Sequence, residues 1–491
     1  MYECTILFGG LPYDYAKFFC KILCQFESCF SRKASFRWFV TISIGFMLRS
    51  DKLGVTSVLR DLALSPACYP SLIHFFRASS WALDSIRLRW FCVVKNDFPL
   101  YNEGNFHVLV GDGVKQSKEG RRMPGVKKLF QESENSAKPE YIHGHMFGGL
   151  GILAGTPGCW ACVPLSIRLH DGLQAAHEWK GAPVSLASHV LKMVGDAYCA
   201  AQVFGDCLLL LDRYFLTVPA LRTLGALNRS GAVRLEIVTK AKKSCMAYER
   251  PAPRKPGRGR PPKKGAAIRL RELFVSHKDR FVETRVEVYG KQETIRYYSV
   301  DLLWGQKLYQ ELRFVLVEMN GIQNILASTS LELEPLSIIR LYSYRFRIEC
   351  TFRELKQQIG AFCYHFWSKH MPKLSYYQKT GEAGPLEHVK DERSQKTILK
   401  AVRAIEMHMA LSCIAMGILQ GISVYSAGKL SSEQLRYQRT PSRGRVSEAA
   451  IMAHLQKYFF LFMEKRPELR ITQIIQEQQD TSGIYWDSLA S

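Results

Sequence analysis

Apolar positions in the first hundred residues recur at helical spacing. Residues 17 to about 95 are rich in Leu, Phe, Ile and Arg with little strand-like alternation, which predicts a helical N-terminal domain over residues 1–100. Within it, LGVTSVLRDLALSPACYPSLIHFFR (53–77) predicts two helices broken near Pro66. Such a pair has the shape of a helix-turn-helix, and equally that of two helices in an ordinary core.

From Phe106 the pattern changes to short apolar runs. FHVLVGDGVK (106–115), GHMFGGLGILAG (144–155), CVPLSIRLH (162–170), CLLLLDRYFLT (207–217) and VRLEIVTKA (233–241) are predicted strands. Helical spacing fills 185–205 and the stretch between the last two strands. Three strands, a helix, a strand, a helix and a strand predict an α/β layer, a mixed five-stranded sheet with helices, rather than a bundle.

The segment RPAPRKPGRGRPPKKG (250–265) then breaks the order with Pro, Gly and basic residues and cannot be core. Alternation over 281–320 predicts a strand-rich insertion, so that residues 241–330 form a basic linker plus insertion between two parts of the α/β domain, 101–240 and 331–425. The apolar face of 395–421 is expected to pack on the sheet. Residues 426–491 are expected to form a C-terminal helical tail, with a polar break at 426–445 and an amphipathic stretch at 446–463.

Charge changes the picture from a fold to a class of partner. Lys and Arg total 67 against 44 Asp and Glu, a net charge of +23, which argues for a polyanion, with nucleic acid the leading candidate. No uninterrupted apolar run reaches the ~18 residues a spanning helix needs; the nearest, Ala404 to Tyr425, contains Glu406 and His408. With no signal-peptide pattern at the start, a soluble protein with no membrane partner is expected. The 14 cysteines are scattered, and Cys159 with Cys162 lacks the second pair that a structural zinc site requires, so reduced thiols are expected.

The candidate chemistry lies in LYSYRFRIECTFRELKQ (341–357). At about 100° per residue, Tyr342, Arg345, Glu349, Arg353 and Lys356 share one narrow helix face. Leu341, Ile348, Phe352, Leu355 and Ile359 form an adjoining apolar stripe, and Glu354 is expected to face solvent. By itself this face is also what i, i+4 ion pairs among Arg345, Glu349 and Arg353 would produce, at about 0.2–0.5 kcal/mol each.

The spacing Y-x2-R-x3-E-x6-K, together with Asp112 and Asp212 terminating apolar strands, resembles the DDE transposases of bacterial insertion sequences that carry a Tyr-Arg-Glu-Lys signature. GDGVKQSKEGRRMPGVKKLFQESENSAKPEYIHGH (111–145) is similar to their first-aspartate region. The resemblance implies an RNase H-like catalytic domain with Asp112, Asp212 and Glu349 as catalytic and metal-binding residues. Asp206 is the rival for the second position, but it precedes its strand, where a turn role fits better.

Three carboxylates without His or Cys suit two hard Mg²⁺ ions, with Mn²⁺ able to substitute, which would activate the attacking hydroxyl and stabilise the leaving oxygen. The resemblance further implies end cleavage and joining of the freed 3′-OH to target DNA, terminal inverted repeats and target DNA as partners, a homodimer on DNA, and a cytoplasmic, nucleoid-associated location in a bacterium. Tyr342, Arg345, Arg353 and Lys356 would contact DNA phosphates or a displaced nucleotide, and Trp304 would stack on an unpaired base, with a buried core tryptophan as the alternative. Arg258 and Arg260, in GRGRPPKK (257–264), resemble an AT-hook core reading a narrow minor groove; a solvated basic linker is the alternative. His143 and His145 are expected to be ordinary hairpin residues. Two other functions compete: a catalytically inactive, transposase-derived DNA-binding protein, and a nuclease of the same fold that cuts without joining.

Overall fold

The structure, a computed structural model, describes residues 14–52, 54–131, 139–182, 184–252, 261–377, 384–425 and 446–479. Arg258 and Arg260 lie outside the described residues, as does the polar stretch 426–445.

Five helices open the chain: α1 (Asp14–Cys24), α2 (Lys33–Leu48), α3 (Thr56–Asp61), α4 (Tyr69–Arg77) and α5 (Leu83–Asp97). The break between α3 and α4 falls at a short 3-10 turn beginning at Pro66, whose missing N–H suits a helix start. Val58, Leu72, Phe75 and Phe76 of this pair are buried, so its apolar faces serve the core.

Next come β1 (Asn102–Glu103), β2 (Phe106–Ser117), β3 (Lys127–Phe130), β4 (Tyr141–Thr156), β5 (Cys159–Leu169), α6 (His189–Phe204), β6 (Cys207–Leu211), α7 (Val218–Ser230) and β7 (Leu235–Lys240). β6 is buried at every position, as an unbroken apolar run between parallel neighbours should be. It lies parallel to both β2 and β7, whereas β2, β4 and β5 form an antiparallel meander. The side-by-side order is therefore β5-β4-β2-β6-β7.

Six further strands follow: β8 (Met246–Tyr248), β9 (Ala267–Arg269), β10 (Val282–Val288), β11 (Lys291–Trp304), β12 (Gln310–Met319) and β13 (Ile322–Ser328), with the one-turn α8 (Leu273–Ser276) before β10. They correct the expected five-stranded sheet. β13 pairs antiparallel with β7 through Ser328 and Val238, Ala327 and Thr239, and Leu326 and Lys240, so the strand-rich stretch continues the same sheet to thirteen strands. A pairing of three residues, formed across 86 to 90 positions of sequence, leaves no local pattern to read.

The chain returns as α9 (Pro335–Tyr344) and α10 (Phe346–Glu354), a π-type turn over Leu355–Ile359, then α11 (Glu392–Tyr425), α12 (Glu448–Lys465) and α13 (Arg470–Gln476). Gly360 ends the π turn with φ 63°, a left-handed conformation that costs glycine nothing. α11 is long and apolar enough to cross a membrane by length and composition, yet its most apolar window is wholly buried within the protein. It packs on β5, α2, α4 and α5 as the central helix of the core.

Candidate active site

Asp112 sits mid-strand in β2, directly across the ladder from Gly149 of β4. A side chain at Gly149 would meet the Phe352 ring at 2.5 Å, so glycine at this position lets α10 lie against the strand beside Asp112. The helix is held by its apolar stripe: Leu341, Ile348, Phe352, Leu355 and Ile359 are all buried, as the helical periodicity predicts. Each such side chain contributes about 1.5–3 kcal/mol. Buried Thr351 clips the helix to the sheet by donating to the Cys162 carbonyl at 2.7 Å.

Two details of the helix differ from expectation. Residues 341–357 do not form one regular helix, because the chain turns at Arg345: its N–H bonds Tyr342 O at 3.2 Å, and Ile348 N–H bonds Arg345 O at 3.3 Å, both tighter i to i+3 bonds. Glu354, expected in solvent, has a side chain 19% exposed and is paired with Arg353 at 3.0 Å, whereas the Glu349 side chain is 40% exposed. A helical wheel ranks faces by polarity and takes no account of what the rest of the chain lays against them.

Arg345 is the centre of the polar site. One guanidinium nitrogen lies 3.2 Å from Asp112 Oδ2, and the other donates to Glu349 Oε1. The arginine side chain is only 15% exposed. Asp112 also accepts from Gly113 N–H at 2.8 Å. Burial nevertheless dominates at Asp112 and pushes its pKa up to about 6; Arg345 and the Gly113 N–H oppose this rise, and Glu349 and Asp212 add to it. Burial alone would lower the Arg345 pKa, but Asp112, Tyr342, Glu349 and Asp212 reverse the sign and hold the guanidinium more firmly charged.

Asp212 follows β6 directly and starts a 3-10 turn, with its carbonyl accepting from Thr239 Oγ1 at 2.9 Å. Among the described residues nothing hydrogen-bonds its carboxylate. It opens into a cleft of about 310 Å³ lined by Arg213, Lys240, Tyr289, Tyr342, Arg345 and Phe346. A second cleft of about 300 Å³ is lined by Asp112, Glu349, Phe352, Arg353, Lys356 and Gln357. Arg345 therefore stands between the three carboxylates, bonded to two of them and lining the cleft of the third. Among the described residues no group of three or more His, Cys, Asp or Glu side chains is placed to hold a metal ion. The donor set itself, three carboxylates with no nitrogen or sulfur, suits a hard divalent cation.

The other expected residues are dispersed. Trp304, at the end of β11, packs against the core and donates its indole N–H to Cys245 Sγ at 3.1 Å; it lines neither cleft. Asp206 precedes β6 and lines neither cleft; its carboxylate accepts from Arg234 N–H, 28 residues on and just before β7, at 2.8 Å. His145 is buried on β4 between the Tyr364 hydroxyl and the Pro124 carbonyl, and His143 stacks on Tyr376 with ring centroids 4.3 Å apart.

Sequence reasoning missed Tyr289. It occupies the β10–β11 turn at φ 53°, a conformation rare for a tyrosine, and its side chain is 55% exposed at the rim of the Asp212 cleft. Alternation over 281–320 marked strands here, but nothing local marked where the turn between them would point. Lys240 and Arg213, the cations of this cleft, were likewise unmarked.

A large mixed sheet covered by helices, with acids and arginines gathered beside two clefts, is consistent with a nuclease that works on a phosphodiester backbone. Residues 25–298 match the model of the DDE superfamily endonuclease family, and the chain, more than half of it matched, belongs to that family. Membership implies DNA as substrate and divalent metal ions as the cofactor class. The matched stretch includes Asp112 and Asp212 and ends before Glu349. No curated protein and no solved structure matches the chain.

Proposed function

We propose that this endonuclease is a DNA transposase of the group with the Tyr-Arg-Glu-Lys signature, cleaving the ends of an insertion sequence and joining the freed 3′-OH to target DNA. The observation that supports the reading is that one guanidinium, that of Arg345, bonds both Asp112 and Glu349 and also lines the cleft of Asp212, so that acids from three distant parts of the sequence share one arginine. The strand order β5-β4-β2-β6-β7 supports an RNase H-like catalytic domain, with the first aspartate on the first long strand and the second just past the fourth.

Asp112, Asp212 and Glu349 would hold two Mg²⁺ ions. When bound, such ions activate the attacking hydroxyl and stabilise the leaving oxygen. The protein's own share is to position the DNA. Arg213, Lys240 and Arg345 around one cleft suit a phosphate, and Lys356 and Arg353 border the other. Tyr289, with Tyr342 and Phe346 beside it, takes the base-stacking role first assigned to Trp304. The N-terminal helices would recognise the terminal repeat, and joining two ends calls for a dimer on DNA.

The test is Mg²⁺-dependent cleavage of a labelled duplex carrying the flanking element end. Glu349→Gln should abolish cleavage while retaining DNA binding, and Glu354→Gln should cleave as wild type does. A supercoiled target added to pre-cleaved ends then separates transposase from nuclease: joined product supports the proposal, and cutting without joining overturns it.

A further inference from the structure

We propose that Arg345 is an internal cation that neutralises the active-site carboxylates in the DNA-free protein and is drawn away by a DNA phosphate, so that divalent-ion binding is coupled to DNA binding through this one side chain. The inference rests on reading Asp112 and Glu349 as metal ligands, as above.

Four observations support it. First, the guanidinium bridges two acids of different elements, Asp112 of β2 and Glu349 of α10, with one nitrogen on each. A divalent ion bound by the same oxygens would stand within a few ångströms of a permanent positive charge, and the two cations would exclude each other.

Second, the arginine has somewhere to go. It lines the Asp212 cleft, which adjoins the carboxylate cleft and is about 310 Å³ in volume. Third, that cleft attracts anions. Arg213 and Lys240 line it beside Arg345, against a single acid, Asp212. A phosphate entering there would meet three cations and give the Arg345 fork a second partner of matching geometry.

Fourth, the backbone is interrupted at this residue. The change to i to i+3 bonding at Arg345 separates α9 from α10, so the side chain can be redirected without unwinding either helix. The 15% exposure of Arg345 and the hold of four anionic or phenolic neighbours explain why it would not leave unprompted.

The experiment is a Mn²⁺ titration of the full-length protein, followed by the electron paramagnetic resonance of free Mn²⁺, with and without a short blunt DNA duplex. Without DNA, Arg345→Gln should bind Mn²⁺ roughly tenfold or more tighter than wild type, within the range of ordinary coupling between sites. Adding duplex should raise the Mn²⁺ affinity of wild type and change that of Arg345→Gln much less. Arg345→Lys keeps the charge but lacks the planar fork that sets a separate nitrogen on each carboxylate, so it should fall between them; it also carries the test if the glutamine variant fails to melt cooperatively.

Equal or weaker Mn²⁺ binding by Arg345→Gln without DNA, or an undiminished duplex effect, would overturn the proposal. Asp112→Asn separates this failure from a deeper one. Its Mn²⁺ affinity should collapse, and wild-type binding by that variant would remove the active-site reading and the proposal with it.

Discussion

Gly149 faces Asp112 across the β2–β4 ladder, and the Phe352 ring fills the space that a side chain at Gly149 would need. The helix bearing Glu349 can approach the first aspartate only because residue 149 has no side chain. Gly149→Val should therefore push α10 away from the sheet, costing about 1–3 kcal/mol of stability as overpacking does. Cleavage should fall further than stability, because Glu349 moves with the helix. Urea melts beside cleavage rates check this, and a stable, fully active Gly149→Val would refute the packing argument.

Asp112 gives the protein a pH dependence with a definite sign. Its pKa is raised by burial to about 6 from an ordinary 3.8, so between these values the folded state holds a proton that the unfolded state has lost. Stability contributed by this group is fully present below about pH 4 and is lost as pH rises through 6. Compared with Asp112→Asn in the presence of a chelator, wild type should lose on the order of 1–3 kcal/mol between pH 4 and 7. Paired urea melts across that range would show it; a difference independent of pH would mean that Asp112 is solvated.

Much of this architecture could be read from the chain. The apolar runs of β2, β4, β5, β6 and β7 and the stripe from Leu341 to Ile359 are local signals, and each lies about where its pattern placed it, except that β6 stops at Leu211, short of the expected Thr217, where the chain turns at Arg213–Phe215. Three kinds of feature were illegible. β3, KKLF, is too short and too charged to stand out. The joining of β13 to β7 depends on two distant strands meeting over only three residue pairs. The third kind is orientation: Tyr289 at a hairpin tip and Arg345 at a helix break owe their surroundings to segments that no local window contains.

Tyr289 can be separated from its own backbone conformation. Asparagine tolerates positive φ far better than most residues, so Tyr289→Asn should remove the ring while leaving the turn and the melting temperature unchanged or slightly improved. Loss of a base-stacking platform is worth about 1–3 kcal/mol, or five- to a hundredfold in processing of the element end. A fluorescent base analogue at the end should lose its protein-dependent signal in the same variant. Unchanged kinetics together with an unchanged signal would exclude Tyr289 from substrate contact. Trp304→Phe offers the contrast. It keeps an aromatic ring in the core, gives up the bond to Cys245 Sγ and part of the indole's volume, and should process ends as wild type does per folded molecule.

Thr351 tests whether the helix must be clipped to the sheet as well as packed on it. Its hydroxyl donates to the Cys162 carbonyl at 2.7 Å and lies 3.4 Å from the Gln420 amide, all in buried surroundings two residues from Glu349. Thr351→Val preserves shape and removes the donor, leaving buried polar groups without a partner at a cost of about 1–3 kcal/mol. Thr351→Ser keeps the hydroxyl and gives up one methyl group, about 1 kcal/mol or less. If the hydrogen bond only stabilises the fold, both variants should cleave DNA at the wild-type rate per folded molecule, well below their melting points. If it sets the position of Glu349, the valine variant should be slow even when fully folded, and the serine variant should recover most of the rate. Because Thr351 touches no substrate in either case, single-turnover cleavage at saturating DNA, normalised to the folded fraction from circular dichroism, decides between the two. The positioning role predicts the second pattern.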